Sequence, residues 1–182
     1  MPQHPDLLET LRQAQRFGFF GPRPMEEAIA HSAAFVEAFA GAEPPESLID
    51  LGSGGGLPGL VLADALRTTS ILLTDRREKR TDFLSRAVAR LAFDHVAVFS
   101  GDVEAICAQV AAGNRPAVAA VTARGFGPPA VTLRFARRLV SDAGVIVISE
   151  PPTGNRWDDA LLAELGLTSE LVGAVRRFQA NH

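Results

Sequence analysis

Short apolar runs alternate with longer amphipathic segments along most of this chain. From residue 47 onward, apolar runs predict five β-strands, at 47–51, 70–74, 95–99, 117–122 and 144–149. Amphipathic segments between and after them predict helices, at 57–66, 77–91, 102–112, 128–140 and near 157–165. Strands that alternate with helices in this way indicate βαβ units. Because the strands are apolar almost throughout, we expect an α/β fold with a mostly parallel central sheet and helices on both faces.

The two ends of the chain depart from this alternation. Residues 1–45 predict an N-terminal helical extension, with one helix over 5–16 and another over 25–40. Near the other end, only one edge strand is predicted, close to 170–178. No linker or repeat divides the 182 residues, so we expect a single domain in which 46–182 forms the core.

The first predicted strand ends in a carboxylate, Asp50, and a turn rich in glycine. This glycine turn, residues 52–56, has glycine at every position except 53. Glycine allows positive φ and lets a ligand lie against the main chain. The second predicted strand ends in another acid, Asp75. Because a carboxylate one strand over from a glycine turn commonly holds a ribose, the sequence predicts an adenosine-containing cofactor with Asp75 on its hydroxyls.

The spacing of Gly54, Gly56 and Gly59 also satisfies the dinucleotide-binding fingerprint, so the identity of the cofactor needs further evidence. Pro58 stands where the next helix should begin, and it has no N–H to offer a pyrophosphate. Asp50 would repel a pyrophosphate, whereas its charge suits the ammonium or hydroxyl groups of S-adenosylmethionine. We therefore favour S-adenosylmethionine over a dinucleotide as the cofactor.

Composition narrows the class of protein. Hydrophobic residues make up 47% of the chain and charged residues 21%, which are values of a globular protein. No apolar run approaches the ~18 residues of a membrane helix, and the N-terminus lacks a signal-peptide pattern. Cys107 is the single cysteine and cannot form an internal disulfide. We expect a cytoplasmic protein with no membrane segment, and the four scattered histidines predict no metal site.

Positive charge is concentrated in the middle of the chain. The net charge is −3, but residues 51–149 carry eight acidic and twelve basic residues, a balance of +4. Two groups of cationic residues, at 76–80 and 134–138, lie on predicted helices. One interpretation is that they hold an RNA backbone. The other, equally open, is that they are solvated helix faces.

The carboxyl ends of parallel strands form the edge of the sheet where ligands bind. Five segments should meet there: Asp50 with the glycine turn, Asp75, 101–104, 122–127 and 149–152. Arg124 should project into the cleft, or else pair with Asp50 or Asp102. Glu104 stands where a first-turn acid would favour the helix dipole.

The segment 50–59, Asp-Leu-Gly-Ser-Gly-Gly-Gly-Leu-Pro-Gly, resembles the nucleotide-binding loop of the glucose-inhibited division protein B family. These proteins are bacterial 16S ribosomal RNA guanine-N7 methyltransferases. The Leu-Pro-Gly ending is more specific to that family than the glycines are. Further segments at 75–84, 101–104 and 121–124 resemble its later motifs, and the likeness runs from about 45 to 150.

The resemblance implies a class I S-adenosylmethionine-dependent methyltransferase with a Rossmann-like fold. It implies that the backbone at Gly52 and Leu57 contacts the cofactor and that Val103 and Glu104 lie at the adenine. It also implies that Arg124, the candidate catalytic residue, lies near the methionine or the methyl acceptor. The predicted cofactor-binding residues are Asp50, Gly52, Gly54, Gly56, Leu57, Asp75, Asp102, Val103, Glu104 and Arg124.

Two other functions stay open beside the methylation of guanine N7 in 16S ribosomal RNA. The acidic ends of the chain, and Glu150 where the family has a lysine, favour a methyltransferase of the same fold that acts on a small molecule. A cofactor-binding module without catalysis is the other. The expected partner of the first function is RNA of the small ribosomal subunit, and the chain itself is expected to be a monomer or weak homodimer.

Overall fold

Strands and helices follow one another along the chain in the order that the hydrophobic pattern predicts. The computed structural model describes residues 4–151 and 156–180. The helices are α1 Leu7–Arg16, α2 Met25–Glu37, α3 Gly59–Ala65, α4 Glu78–Arg90, α5 Val103–Ala111, α6 Pro129–Leu139 and α7 Asp159–Glu164. The strands are β1 Ser47–Leu51, β2 Ser70–Asp75, β3 Val96–Ser100, β4 Val118–Ala123, β5 Val140–Ser149, β6 Leu167–Val172 and β7 Val175–Ala180.

Within the described residues, the strands form one sheet in the order β3-β2-β1-β4-β5-β7-β6. The first five strands pair in parallel, and β7 is antiparallel to both of its neighbours. The strand order reverses between β1 and β4, which is where open α/β sheets have their ligand crevice. The expected Rossmann-like arrangement with a mostly parallel sheet is confirmed.

Two apolar cores cover the two faces of the sheet. Successive residues of β1 point to opposite faces, so Leu48 packs in one core and Ile49 in the other. The first core takes side chains from α1 to α4, and the second takes them from α5 to α7. The N-terminal helices belong to the first core, where Leu7, Leu11 and Phe35 are fully buried. The predicted helical extension is therefore packed on the sheet.

The prediction of one edge strand near 170–178 is wrong, because two strands, β6 and β7, lie there. They are joined by the two-residue turn Gly173–Ala174, in which Gly173 has a φ of +55°. Glu150, at the end of β5, is buried and pairs with Arg156 and Arg176, and Trp157 Nε1 also donates to it. Glu150 thus stabilises this end of the sheet. Pro152, at the end of the predicted rim segment, lies outside the described residues.

Candidate functional site

The glycine turn lies between the carboxyl ends of β1 and β2. Gly52, Gly54 and Gly56 have φ values of +65°, +58° and +105°, which confirms the expected positive φ at this turn. The Ser53 N–H donates to the Thr74 carbonyl at 2.8 Å and ties the turn to β2. Helix α3 begins at Gly59, two residues later than predicted, with Pro58 as its N-cap residue.

Asp75 lies at the end of β2 with its carboxylate against the glycine turn. One oxygen accepts from the Gly54 N–H at 3.1 Å and from Arg80 Nη1 at 3.3 Å. The other accepts from the Arg77 N–H at 2.9 Å. A carboxylate has about four acceptor positions, so these three contacts leave room for a further donor. The side chain also lines the adjoining cavity, as a ribose-binding acid must.

A cavity of about 460 Å³, the first cavity, opens at this edge of the sheet. It brings together four of the predicted residues: Gly52, Asp75, Asp102 and Val103. Segments from the ends of β2, β3 and β4 form its wall. Its lining is Gly52, 74–77, Arg80, 101–103, 125–128, Val131 and Phe135.

Asp50 lies beneath the glycine turn and does not reach the first cavity. It is fully buried, and its Oδ1 accepts a hydrogen bond from Thr122 Oγ1 at 2.7 Å. Burial raises the pKa of Asp50 to about 6, although hydrogen bonds from Thr122, Ser53 and the Gly59 backbone and the charge of Arg124 all act to lower it. A Cβ atom on Gly59 would lie 2.7 Å from Asp50 Oδ2. Strand alternation turns Asp50 to the face that α3 covers, away from the first cavity, and its contact with a cofactor stays a prediction.

Gly54 and Gly56 are also buried, and of the predicted glycines only Gly52 reaches the cavity wall. The Gly54 N–H is taken by Asp75, and the Gly56 N–H donates to the Ser53 carbonyl at 2.7 Å. Both glycines therefore set the path of the turn in this structure. Direct contact between them and a cofactor stays a prediction.

Of the three residues at the N-terminus of α5, two line the first cavity and one does not. Asp102 is the N-cap of α5, and its side chain accepts from the Glu104 N–H at 2.9 Å. Val103 follows as the first helical residue and lines the cavity. Glu104 does not line it, because both carboxylate oxygens accept hydrogen bonds from Arg138, at 2.5 and 2.8 Å. Of the two interpretations of Glu104, the geometry favours the first-turn acid.

Arg124 and Leu57 line a different cavity of about 420 Å³, the second cavity, against the N-terminal segment. Arg124 Nη1 donates to Ser32 Oγ at 3.3 Å, and within the described residues Arg124 forms no ion pair. The suggested pairing with Asp50 or Asp102 is thus not present. Burial and the Arg23 charge lower the pKa of Arg124 from its usual value, while Asp50 acts to raise it. Because Arg124 lines the second cavity and Gly125 the first, the cavities meet in this loop.

Sequence reasoning missed two side chains of the first cavity. Arg80 reaches Asp75 from the first turn of α4. Phe126 lies so close to Gly52 that a Cβ there would be 2.9 Å from the ring. An aromatic residue within the predicted rim segment 122–127 was the available signal, since adenine binds beside aromatic and apolar side chains.

The two groups of cationic residues, at 134–138 and 76–80, differ in their ion-pair partners. Arg134, Arg137 and Arg138 form ion pairs with Glu164, Asp142 and Glu104, so this group is largely neutralised. Arg76, Arg77 and Lys79 are exposed beside the first cavity and form no ion pair with any described residue. The interpretation as a solvated, internally paired face fits the first group. The second group keeps its charge available.

Within residues 4–151 and 156–180, no three His, Cys, Asp or Glu side chains gather in a way that would hold a metal ion. No helix in the same residues is both long enough and apolar enough to cross a bilayer.

Solved structures with a similar fold include a putative O-methyltransferase from Klebsiella pneumoniae, with a TM-score of 0.70 and 15% sequence identity. That match covers 100% of this chain and 92% of the other. An O-methyltransferase from Bacillus cereus in complex with SAH has a TM-score of 0.65 and 12% identity, and covers 98% and 91% of the two chains. At these identities the likeness is one of fold alone.

Relatives in sequence are named ribosomal RNA small subunit methyltransferase G. The one from Sphingopyxis alaskensis is 48% identical over 80 residues, which are 44% of this chain and 31% of the relative. The one from Burkholderia thailandensis is 32% identical over 126 residues, which are 69% of this chain and 54% of the relative. The chain thus aligns with about a third to a half of their length. The family model described as rRNA small subunit methyltransferase G matches residues 11–151, and the chain therefore belongs to the GidB family.

Proposed function

We propose that this protein is an S-adenosylmethionine-dependent methyltransferase that modifies guanine N7 in the RNA of the small ribosomal subunit. Membership of the GidB family over residues 11–151 is the observation that carries this proposal. The relatives in sequence are named ribosomal RNA small subunit methyltransferase G, a name that gives the RNA and the methyl transfer. The arrangement of the first cavity supports it independently.

The residues around the first cavity fit the adenosine part of the cofactor. Asp75 has acceptor capacity for the ribose hydroxyls at the carboxyl end of β2. The Val103 N–H belongs to the first turn of α5, where no intrahelical carbonyl accepts it, and is available to an adenine nitrogen. Phe126 offers an aromatic surface at the cavity wall, and the absence of a side chain at Gly52 lets its ring approach the glycine turn.

The catalytic task left to the chain is mainly alignment. When bound, S-adenosylmethionine supplies an activated methyl group, so the hard chemistry belongs to the cofactor. Guanine N7 carries a free lone pair at neutral pH, and its methylation needs no general base. The residues have to hold donor and acceptor in line, which is catalysis by positioning. Arg124 remains our candidate for contact with the methionine or the acceptor, because it lines the cavity that adjoins the cofactor cavity.

Charge supports an RNA substrate over a small metabolite. The unpaired cations Arg76 and Arg77 line the first cavity, and the exposed Lys79 follows in the first turn of α4, where RNA phosphates would approach. In the sequence, Glu150 argued against an RNA substrate, because the family has a lysine at that position. Its burial in ion pairs with Arg156 and Arg176 removes that objection, since the carboxylate does not face the solvent.

Methyl transfer to small ribosomal subunits tests the proposal. The protein is incubated with methyl-labelled S-adenosylmethionine and subunits from cells that lack the modification, and the RNA is digested to nucleosides. We expect label in 7-methylguanosine. A chain that binds the cofactor and leaves the RNA unlabelled would refute the RNA assignment, and label in a small metabolite of a cell extract would support the other acceptor class.

A further inference from the structure

The second cavity has a different chemical character from the first. It lies between the N-terminal segment and the end of β4, and its charged lining residues are Arg23, Glu27 and Arg124. Within the described residues none of the three forms an ion pair. Arg124 is half-buried, and Arg23 and Glu27 are exposed at the rim, so the cavity offers a ligand both donors and an acceptor.

The position of the second cavity suits a methyl acceptor. Arg124 lines it, and the next residue, Gly125, lines the first cavity, so the two cavities are neighbours across one peptide unit. Leu57, which directly follows the glycine turn, forms part of the wall of the second cavity. A group held here lies beside the cofactor cavity without competing for Asp75.

We infer that the second cavity binds the guanine base of the RNA acceptor, with Glu27 and the two arginines as its recognition groups. Guanine carries two donors on its pairing edge, N1–H and the exocyclic amino group, and a carboxylate accepts from both. Its O6 accepts from an arginine, whereas adenine presents an amino donor at that position, and N7 stays free to receive the methyl group. A cavity with arginine donors and one carboxylate therefore favours guanine over adenine. This inference rests on the proposed function.

The remaining walls complete a site for a flat base. Phe20 borders the cavity, and its ring packs against Gly55, where an added Cβ would lie 2.6 Å from Cζ. Aromatic side chains of this kind stack on unpaired bases in RNA-binding proteins. Gln15 Nε2 donates to the Gly21 and Arg23 carbonyls, each at 2.7 Å, and so holds the loop that carries Arg23.

Burial and the charges of Arg124 and Arg23 lower the pKa of His31, which lines the same cavity. The neutral form of His31 is therefore favoured, and the two arginines carry the positive charge of the cavity. A neutral imidazole adds one donor and one acceptor to the wall.

Nucleotide titrations of the whole chain, saturated with S-adenosylhomocysteine, test this site without any turnover. Guanosine, inosine and adenosine 5′-monophosphates are added up to millimolar concentration while backbone amide signals are followed by NMR. We expect the guanine nucleotide to shift signals of residues 20–31 and Arg124. Inosine lacks the exocyclic amino group and should bind about five-fold or more weakly, as should adenosine.

Glu27→Gln should remove the preference for guanosine over inosine monophosphate, because it replaces one of the two acceptor oxygens with an amino donor that opposes the guanine amino group. Glu26→Gln is the matched control, since the neighbouring Glu26 pairs with Arg12 and does not line the cavity. Arg23→Ala should weaken guanosine monophosphate binding and gives a second variant should Glu27→Gln misfold.

A guanosine signal that maps to 125–135, or no shift at all, would overturn the inference. So would a Glu27→Gln chain that keeps the preference for guanosine. Failure of S-adenosylhomocysteine to bind appears in the same spectra before any nucleotide is added, and it would count against the proposed function itself.

Discussion

The carboxylates that end β1 and β2 occupy opposite surroundings at the residue scale. Asp75 receives backbone and arginine donors and borders a cavity, whereas Asp50 is fully buried. Both acids lie at the carboxyl end of a strand, at the edge of the sheet where ligands bind. The sequence therefore assigned both to the cofactor. The two differ in the side to which each side chain turns, which places Asp75 at the first cavity and Asp50 beneath α3.

Asp75→Ala should weaken S-adenosylmethionine binding by about 10- to 150-fold, because a hydrogen bond to a charged acceptor contributes about 1.5–3 kcal/mol. Isothermal titration calorimetry measures the change. Asp82→Ala is the matched control, since Asp82 lies exposed on α4 and does not line the cavity. Equal affinities of the wild type and the Asp75 variant would exclude Asp75 as the ribose acid.

Asp50 makes the stability of the fold depend on pH. Folding raises its pKa from 3.8 to about 6, so between these values the folded chain binds more protons than the unfolded chain. Stability contributed by Asp50 is therefore greatest below pH 4 and falls as pH rises to 6. The loss at pH 7 is on the order of 3 kcal/mol.

Asp50→Asn should remove this dependence, because an amide does not titrate. Urea unfolding of both proteins at several pH values gives the difference between their free energies of unfolding. That difference should shift in favour of the variant from pH 4 to pH 6.5 and then stay constant. A difference that does not vary with pH would show that Asp50 keeps an ordinary pKa.

The N-terminus of α5 combines three tasks at the scale of elements. Asp102 caps the helix, Val103 borders the cavity, and Glu104 links α5 to α6 through Arg138. Three consecutive residues thus serve helix capping, the cavity wall and helix–helix contact.

Glu104→Ala should leave the dissociation constant for S-adenosylmethionine unchanged within about two-fold, because its carboxylate is held by Arg138 in an exposed ion pair. Asp102→Ala should lower the free energy of unfolding by about 1 kcal/mol through loss of the N-cap. Calorimetry and thermal unfolding measure the two effects. A large loss of cofactor affinity in Glu104→Ala would restore the adenine contact that the sequence suggested.

Most elements were predictable because burial on both faces leaves a clear apolar run in each parallel strand. The C-terminal hairpin was not, because β6 and β7 carry Glu170, Arg176 and Arg177 among their apolar residues. Glu170 and Arg177 form an ion pair between the two strands. In the site, the positions of the glycine turn and of Asp75 at the edge of the sheet were predictable, because each directly follows or ends an apolar strand. The separation of Arg124 from the first cavity was not, since it depends on how the N-terminal segment packs over the sheet.

Charge is arranged unevenly over the whole molecule. Within the described residues, Lys79, Arg86 and Arg90 share one exposed face of α4 and form no ion pairs. Phe17, which follows α1 and has 55% of its surface exposed, packs edge-on against Phe83 of α4. An exposed aromatic ring beside unpaired cations is a surface that suits single-stranded RNA.

Arg86→Ala should weaken binding to small-subunit RNA and reduce the slope of log Kd against log salt by about 1, as expected for one lost phosphate contact. Arg134→Ala removes the same charge from an existing ion pair with Glu164 and should change the slope less. Filter binding at several salt concentrations compares the two. Equal effects would mean that net charge, and not this face of α4, determines RNA affinity.

A crystal structure of the chain with S-adenosylhomocysteine tests the central claim most directly. We expect the ribose hydroxyls within hydrogen-bonding distance of the Asp75 carboxylate, and the adenine beside Val103 and Phe126. A nucleoside bound outside the first cavity, or a ribose held by another residue while Asp75 keeps only its present partners, would contradict the account.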